Sequence, residues 1–552
     1  MNAGTRLLPC LVALATLATT CVCSHLAEPN PVRASGPVPQ WKNDWSRGAV
    51  FYEVFVRSYY DSNGDGIGDL KGLIAKLDYL NDGKPQTSSD LGVDALWLMP
   101  IFKSPSYHGY DALDYRQVNP DYGKNADMEL LLKEAHRRGI RVILDLVMNH
   151  TGSDHPWFVE SSSSPASARR EWYVWSKTDP GWMPPWGGTN QTWHPKNGYY
   201  YYGVFWSGMP DLNYRTQAVR KEMKLIAKYW LGKGVDGFRL DAARHLIENG
   251  AGQSQVDTPE THAFWKELST HVRKVKPEAT LVGENWTDTP IIATYFGSTA
   301  VVKGGDEFPM NFDFPLASSI IQGVNASRAT GIAAKIAEVK SLYPAGSTDA
   351  PFLTNHDNVR LATQLGANTG KLRNAAAILL TVPGSPFVYY GEEVGVQNGT
   401  TSGDEAKRTP MPWDASDKGG FTTGTPWYQF APGKETANVA LQKNDPSSLL
   451  AMYRNLIAAR KRSTALTKGG IELLTATTGA SSVLAYVRTD GAERVLVAHN
   501  LSDTFAVGGP YAISATTAEK LFAYPSVTNP TGGPGSWSIA LPPRATGVWR
   551  ME

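Results

Sequence analysis

The chain has almost no cysteine: it contains three in 552 residues, and Cys10, Cys21 and Cys23 all lie at the N-terminal end. Disulfides within the remaining sequence are therefore excluded, and stability must come from an ordinary hydrophobic core. Neither sign of charge is in excess, because 53 basic side chains stand against 52 acidic ones, for a formal net charge of +1. With no basic stripe in the sequence either, nothing favours nucleic acid as a partner.

The first residues contain an apolar run, Leu7–Val22, behind a positively charged start. The run is shorter than the roughly 20 residues that a membrane-spanning helix needs. This pattern predicts a signal peptide over residues 1–24 and a linker over 25–40, and hence an exported protein, secreted or periplasmic. A membrane-anchored lipoprotein is the alternative, although Thr20 before Cys21 fits the usual lipidation signal poorly.

Beyond the linker, short apolar runs alternate with amphipathic stretches, which indicates a parallel sheet built from βα units. The predicted strands are Ala49–Val56, Ala95–Met99, Arg141–Val147, Gly237–Leu240, Thr280–Val282, Met310–Phe312, Pro351–Leu353 and Pro386–Tyr389. In one intervening segment Met128, Leu131 and Ala135 share a face, as in an amphipathic helix. Eight such units predict an α/β fold, a (β/α)8 TIM barrel formed by residues 41–150 and 210–465.

Two further segments differ from the barrel pattern. Residues 151–209 form a predicted inserted subdomain after the third strand, because the stretch is too long and too aromatic for a plain loop. Its tryptophans include Trp172, Trp175, Trp182, Trp186, Trp193 and Trp206. Most are expected to form a small core, and one or two to face the site. After a helix at about Ser447–Arg462, short apolar runs broken by Gly, Pro and Asn predict a C-terminal β-sandwich at 466–552.

Polar residues gather where four of the predicted strands end. The clusters are DLVMNH at Asp145–His150, GFRLD at Gly237–Asp241, GENW at Gly283–Trp286 and NHD at Asn355–Asp357. Any one of them alone is as easily a helix cap or a buried ion pair. Four on one barrel rim must converge, and converging carboxylates repel one another unless a function keeps them there.

The four clusters resemble, in order and separation, the four conserved sequence regions of the α-amylase family (glycoside hydrolase family thirteen). Met209–Asn213, MPDLN, is similar to the form found in the group intermediate between oligo-1,6-glucosidases and neopullulanases. Ser106–Asp111 and Gly384–Glu393 match further regions, at the second and eighth strands. The resemblance covers roughly residues 45–552, and it implies a retaining glycoside hydrolase that works on an α-glucan.

The resemblance implies roles for three acids and one arginine. Asp241 would be the nucleophile that forms a covalent glycosyl-enzyme, and Glu284 the general acid and base. Asp357 would hold sugar hydroxyls and favour the distorted ring. Arg239 would keep Asp241 ionised, since one carboxyl must be ionised and the other protonated at the working pH. The Asp241 and Glu284 carboxyls are expected to lie about 5–5.5 Å apart, the separation of retaining enzymes.

The resemblance also implies residues that bind the sugar at the cleavage point. Tyr110 would lie beneath its ring, and His150 and His356 would bind its hydroxyls. Asp145 is expected to brace the site. Asn149 has the same expected role, with a second calcium site left open as the alternative.

A calcium loop is predicted after the first strand. Oxygen ligands are expected at the alternate positions Asp61, Asn63, Asp65, Ile67 and Asp69, with glycines between them that permit a tight wrap. The twelfth position lacks the glutamate of an EF-hand, but the loop resembles the structural calcium loop of many relatives. The alternative is an Asx-rich turn without metal.

The predicted substrate specificity depends on which residue pairs with the arginine of an RTPM motif. Exo-acting α-glucosidases of neighbouring groups pair an Asp, three residues before the platform tyrosine, with the arginine of an RTPM motif. Here Arg408–Met411 reads RTPM, but Tyr107 stands at the Asp position. The resemblance then favours an open cleft and endo-hydrolysis of α-1,4 bonds in starch, glycogen or maltodextrins.

Several alternatives to an endo-acting α-amylase remain. They are an exo-acting α-glucosidase, a transglycosylase, and an enzyme that cleaves cyclodextrin or pullulan. A non-catalytic glucan-binding protein is disfavoured, because Asp241, Glu284 and Asp357 are all retained. No protein partner is implied, and a monomer is expected.

Overall fold

The computed structural model describes residues 37–85, 87, 89–475 and 481–552. The predicted signal peptide and most of the predicted linker therefore lie outside the described residues. The chain divides into two units, residues 1–38 and residues 39–552, and the fold below is that of the second. In the part of the chain that the structure describes, no helix has the length and hydropathy needed to cross a membrane.

Eight parallel strands form the barrel that the sequence predicts. They are β1 Phe51–Val54, β2 Ala95–Leu98, β3 Arg141–Leu146, β4 Gly237–Leu240, β5 Thr280–Gly283, β6 Met310–Phe312, β7 Thr348–Ala350 and β8 Phe387–Tyr389. Each strand pairs with the next from β1 to β7, and β1 also pairs with β8. A single bridge between Phe352 and Phe387 links the chain just after β7 to β8, so the barrel is nearly closed.

The predicted seventh strand, Pro351–Leu353, is wrong by three residues. The strand is Thr348–Ala350, which pairs with β6 in the register Met310 to Thr348. Pro351 has no N–H to donate, so the regular ladder stops before it. The polar sequence TDA concealed the strand, because it lacks the apolar run used to find the other seven.

Helices surround the barrel and separate its strands. The helix with the predicted apolar face spans Asn125–Arg137, and Met128, Leu131 and Ala135 are all buried. Gly139 follows it at a φ of +79°, a conformation that suits glycine at a helix end. The other α-helices are Leu70–Ala75, Leu77–Leu80, Pro156–Ser163, Gln217–Gly232, Pro259–Val275, Thr289–Thr294, Phe314–Ala326, Thr330–Leu342, Leu361–Gln364, Thr369–Thr381, Val439–Gln442, Leu449–Lys461 and Thr464–Lys468.

Aromatic and branched side chains fill the barrel interior. Phe51 on β1 stacks on Phe387 of β8 at 4.3 Å between ring centroids, and Trp97 and Phe312 pack at 5.3 Å. All four side chains are buried. The barrel is thus a packed core rather than a pore, and ligands can be bound only at its ends.

The segment after β3 forms its own small sheet. Its strands are Trp175–Ser176, Trp193–Lys196 and Tyr199–Tyr202, with the last in the centre. Trp193 and Tyr202 are buried against the half-buried Trp182, as expected for a small aromatic core.

The C-terminal strands form two antiparallel sheets. They are β9 Gly470–Leu473, β10 Val483–Asp490, β11 Glu493–Asn500, β12 Ala506–Tyr511, β13 Ala518–Tyr524, β14 Thr531–Gly533, β15 Ser536–Leu541 and β16 Thr546–Met551. One sheet has the order β9-β10-β11-β16-β13, and the other β12-β15-β14. Leu496 and Trp549 of the first sheet share a core with Trp537 and Ile539 of the second, which confirms the predicted sandwich.

Candidate active site

A cleft of about 640 Å³ lies at the carboxyl ends of the barrel strands. It is lined by the predicted site residues Tyr110, His150, Asp241, Glu284 and Asp357. The remaining lining residues are His108, Trp186, Phe205, Trp206, Met209, Ala242, Arg244, His245, Trp286, Asp404 and Arg408.

Arg239 is the centre of the charge network beneath this cleft. It lies on β4 and its side chain is 1% exposed. Its Nη1 donates to both oxygens of Asp145 at 2.8 Å and to Oδ1 of Asp241 at 2.7 Å. Its Nη2 lies 2.6 Å from Oε2 of Glu284. One guanidinium therefore faces three carboxyl groups from three strands, the bridging arrangement for which arginine is suited.

Asp241 and Glu284 are buried at the base of the cleft. Burial raises the pKa of each carboxyl above its usual value, while the Arg239 charge opposes that rise. Glu284 also accepts the backbone N–H of Ala242 at 3.0 Å. Ala242 has a φ of +48°, a strained conformation for a residue with a Cβ, and such strain is common at functional sites. The Asp241–Glu284 separation itself stays a prediction.

Asp357 has a different environment from the other two acids. Its Oδ2 lies 3.1 Å from Nε2 of His356, and its Oδ1 accepts from Nη2 of Arg408 at 2.8 Å. Burial alone would raise the pKa of Asp357, but the His356 and Arg408 charges outweigh it and hold that pKa well below its usual range. Asp357 is therefore an anion at neutral pH.

Two stacked rings lie beside Asp357, and one of them, that of Tyr110, lines the cleft. The ring of Tyr110 stacks on that of His356, with centroids 5.5 Å apart. The Tyr110 hydroxyl donates to Oδ2 of Asp145 at 3.1 Å and lies 2.5 Å from Nε2 of His356. Both rings are thus fixed in place before any ligand enters.

His150 and Asn149 follow β3, and they differ in their contacts. Neither ring nitrogen of His150 has a hydrogen-bond partner among the described residues, and burial lowers its pKa to about 4. Its neutral ring borders the cleft, so a ligand hydroxyl can supply the missing partner. Asn149 instead donates its amide to Oδ2 of Asp211 at 2.8 Å, which fits a bracing contact.

Arg408 is the arginine from whose motif the open cleft was predicted. Its Nε donates to the carbonyl of His356 at 3.0 Å, and its Nη1 lies 3.4 Å from the Tyr107 hydroxyl. The guanidinium also contacts Asp404 at 3.6 Å. Together with the ion pair to Asp357, these contacts occupy Arg408 without an acid at position 107.

Exposed aromatic side chains line the cleft together with the acids. Among the described residues, three tryptophans are more than half exposed, and all three border this cleft: Trp186 at 56%, Trp206 at 52% and Trp286 at 54%. Two of them belong to the inserted segment, in agreement with the expectation that one or two of its indoles face the site. Trp286 was quoted only as part of a motif, yet it is the third.

The predicted calcium loop is closed by its own hydrogen bonds. The carboxylate of Asp61 accepts three backbone N–H groups of the loop, and that of Asp69 accepts the N–H of Ser62 in the loop and of Gly72 in the following helix. Asp65 accepts the N–H of Ile67 at 2.8 Å and an amide hydrogen of Asn63 at 2.9 Å. These oxygen donors suit calcium, but throughout the described ranges no three His, Cys, Asp or Glu side chains are arranged to hold a metal. Calcium stays a prediction.

A TIM barrel whose strand ends bring three acids and a buried arginine into one sugar-sized cleft defines the class of barrel glycosidases. The family model "Alpha amylase, catalytic domain" matches residues 53–469. The chain belongs to this alpha-amylase family. It is therefore an alpha-amylase-like enzyme, a retaining glycoside hydrolase or transglycosylase.

Individual relatives cover most of the chain. It is 42% identical over 467 residues to alpha-amylase 3 of Dictyoglomus thermophilum, spanning 84% of this chain and 86% of that protein. It is 37% identical over 516 residues to trehalose synthase/amylase TreS of Mycolicibacterium smegmatis, spanning 83% and 84%. The crystal structure of alpha-amylase from H.orenii superposes with a TM-score of 0.81 at 38% identity, covering 92% of this chain and all of that chain.

Proposed function

We propose that the protein is an α-amylase that cleaves internal α-1,4 bonds of starch, glycogen or maltodextrins. The observation that supports this most is that three exposed indoles, those of Trp186, Trp206 and Trp286, line the same cleft as the acids. Exposed indoles stack well on the apolar faces of sugars, and three of them offer more surface than one glucose unit can cover. The contacts of Arg408 with Asp357 and Tyr107 support the same assignment.

The mechanism follows from the two buried carboxyls. Asp241 attacks the anomeric carbon while Glu284 gives its proton to the leaving glycosidic oxygen, so the glycosidic bond breaks as the bond to Asp241 forms. Glu284 then removes a proton from water, whose oxygen displaces Asp241 from the same carbon. Asp357 and His150 bind ring hydroxyls, and the net reaction is hydrolysis with retention of configuration.

Transfer to an acceptor sugar is the second candidate, because one of the relatives is named trehalose synthase/amylase. Water and sugar compete for the same glycosyl-enzyme. Incubation with maltose distinguishes the two: glucose as the only product supports hydrolysis, whereas trehalose or longer oligosaccharides support transfer.

Endo action is tested with maltoheptaose that is blocked at its non-reducing end and carries a reporter at the other. An endo-acting enzyme cleaves it, while an exo-acting enzyme cannot begin. Trp206→Ala should raise KM for this substrate more than KM for maltotriose. Phe505→Ala, at another exposed aromatic residue outside the cleft lining, is the matched control. Cleavage of the unblocked chain alone, with glucose as the product, would contradict the proposal.

Export, calcium and oligomeric state complete the proposal. Residues 1–24 would be removed as a signal peptide, which intact mass measurement on the natively produced protein tests; a lipid-sized excess at Cys21 or Cys23 would indicate an anchor instead. A structural calcium ion would be held by Asp61, Asn63, Asp65, Ile67 and Asp69. A monomer in solution is checked by light scattering after gel filtration.

A further inference from the structure

A buried pair, Glu53 and His356, lies directly beneath the candidate site. Oε1 of Glu53 lies 2.6 Å from Nδ1 of His356. Glu53 is on β1, where it is 1% exposed, and His356 follows β7 and is fully buried. The sequence regions that resemble the family do not include Glu53.

The other ring nitrogen of His356 also faces an acceptor. Its Nε2 lies 3.1 Å from Oδ2 of Asp357 and 2.5 Å from the Tyr110 hydroxyl. Because Asp357 is ionised, its Oδ2 can only accept a hydrogen bond, so Nε2 of His356 carries a hydrogen. A Glu53 carboxylate at Nδ1 likewise only accepts, and with acceptors at both nitrogens the ring carries a hydrogen on each, which makes it a cation.

We propose that Glu53 is a positioning residue: its carboxylate fixes the His356 ring as an imidazolium whose Nε2–H points at Asp357 and at the bound sugar. Glu53 itself touches neither the sugar nor the reacting atoms. The inference rests on the proposed glycosidase function and adds a residue from the first strand to that site.

The carboxylates beside His356 favour its charged form, while burial raises the pKa of the Glu53 carboxyl and the charges of His356 and Arg239 oppose that rise. Burial lowers the pKa of His356, but the carboxylates of Asp357 and Glu53 outweigh it and raise that pKa to about 9. The other charged or titratable groups that face the pair come from several strands: Tyr110, Asp145, Arg239, Asp241, Tyr389 and Arg408. Removing only the Glu53 charge leaves all of these in place.

The experiment measures kcat/KM against pH with α-maltosyl fluoride. Fluoride leaves without needing a proton, so the first step does not require Glu284 as an acid. The fall of kcat/KM at alkaline pH, the alkaline limb, should then follow the loss of the proton from His356. In the wild type this limb should lie near pH 9, where His356 loses its proton. A wild-type limb at or below the usual histidine value of about 6.5 would overturn the proposal even if no variant folds.

Glu53→Gln keeps the size and the acceptor oxygen but removes the charge. We expect a several-fold lower kcat/KM at pH 5.5 and an alkaline limb about 1–3 pH units lower than in the wild type. Glu53→Asp, which restores the charge, should return the limb toward its wild-type position. A limb that stays in place in Glu53→Gln would overturn the proposal, because a purely structural role predicts uniform loss at every pH.

Glu393→Gln is the matched control. Glu393 is also fully buried and accepts the hydroxyls of Tyr52 and Tyr79, but it does not contact His356. The alkaline limb of the Glu393→Gln profile should remain at the wild-type pH. Failure of the wild type to cleave any glucan or the fluoride would contradict the proposed function, whereas an active wild type with an unmoved Glu53→Gln limb contradicts only the role of Glu53.

Discussion

Nη2 of Arg239 lies 2.6 Å from Oε2 of Glu284, while Nη1 of the same guanidinium lies 2.7 Å from Oδ1 of Asp241. The Arg239 cation therefore contacts both Asp241, the expected nucleophile, and Glu284, the expected general acid. Burial favours the protonated form of each carboxyl and Arg239 favours the ionised form, so small differences in contact decide which one is charged. The further contact with Asp145 fixes the position of the guanidinium.

Arg239→Gln should reduce kcat/KM about 100- to 1,000-fold, the usual loss when a preorganised charge contact is removed from an active site. Without the guanidinium, Asp241 is harder to ionise. Because the nucleophile must be ionised, the acid limb of the pH profile should move to higher pH, by about 1–3 units. Arg116→Gln, at a half-exposed pair with Glu222, is the control. An unshifted acid limb would count against the role given to Arg239.

Substitution of each acid should depend differently on the leaving group. Glu284→Gln should lose about 100- to 10,000-fold in kcat/KM on maltodextrin, where a proton must be supplied, and far less on α-maltosyl fluoride. Asp241→Asn should lose activity on both substrates, because the covalent step needs the carboxylate. Equal losses on both substrates for Glu284→Gln would contradict its assignment as the acid.

The sequence predicted those parts of the site that lie in continuous segments at strand ends. Asp241 follows β4 and Glu284 follows β5, each directly after a run of strand residues, so pattern alone gave both the strand and the rim position. The order of strands around the barrel brought such segments into one cleft. The same pattern did not find the seventh strand, because the sequence of Thr348–Ala350 is polar.

Contacts between distant segments could not be predicted. Glu53 lies within FYEVF, where it interrupts an apolar strand. No pattern in the neighbouring sequence indicates its partner His356, which is 303 residues away. Arg408 was known to lie in a motif, but its pairing with Asp357 depends on the path of a loop. The exposed indoles of Trp186 and Trp206 were indistinguishable in sequence from their buried neighbours. Such features arise from tertiary packing, which produces no periodic pattern of apolar residues in the sequence.

Chelation should lower the melting temperature if the loop at Asp61–Asp69 binds calcium. A ligand at 100 times its Kd stabilises the folded state by about 2.7 kcal/mol, so the shift should be measurable by calorimetry. Asp65→Asn should abolish the response to chelator. Asp445→Asn, which alters an exposed Asx turn elsewhere, should retain it. A wild type that does not respond to chelator would identify the loop as an Asx-rich turn without metal.

Arg488 joins the C-terminal sandwich to the barrel, and its loss should destabilise the protein without affecting catalysis. Its fully buried guanidinium donates to the carbonyls of Gly470 at 3.1 Å and Gly469 at 2.7 Å, and to that of Thr381 at the end of a barrel helix. Burial lowers the pKa of Arg488 to about 9, so the charge is held at some cost, but it remains at neutral pH.

Arg488→Met leaves those carbonyls without a donor, and each unsatisfied buried polar group costs about 1–3 kcal/mol. Relief of the buried charge offsets part of this loss, so we expect the free energy of unfolding to fall by about 2–4 kcal/mol. Arg494→Met, at an exposed arginine of β11, should leave it nearly unchanged. Denaturant unfolding gives both values, and kcat/KM measured on folded protein should be equal in the two variants. Equal stability of the two would mean that water replaces the guanidinium at the interface.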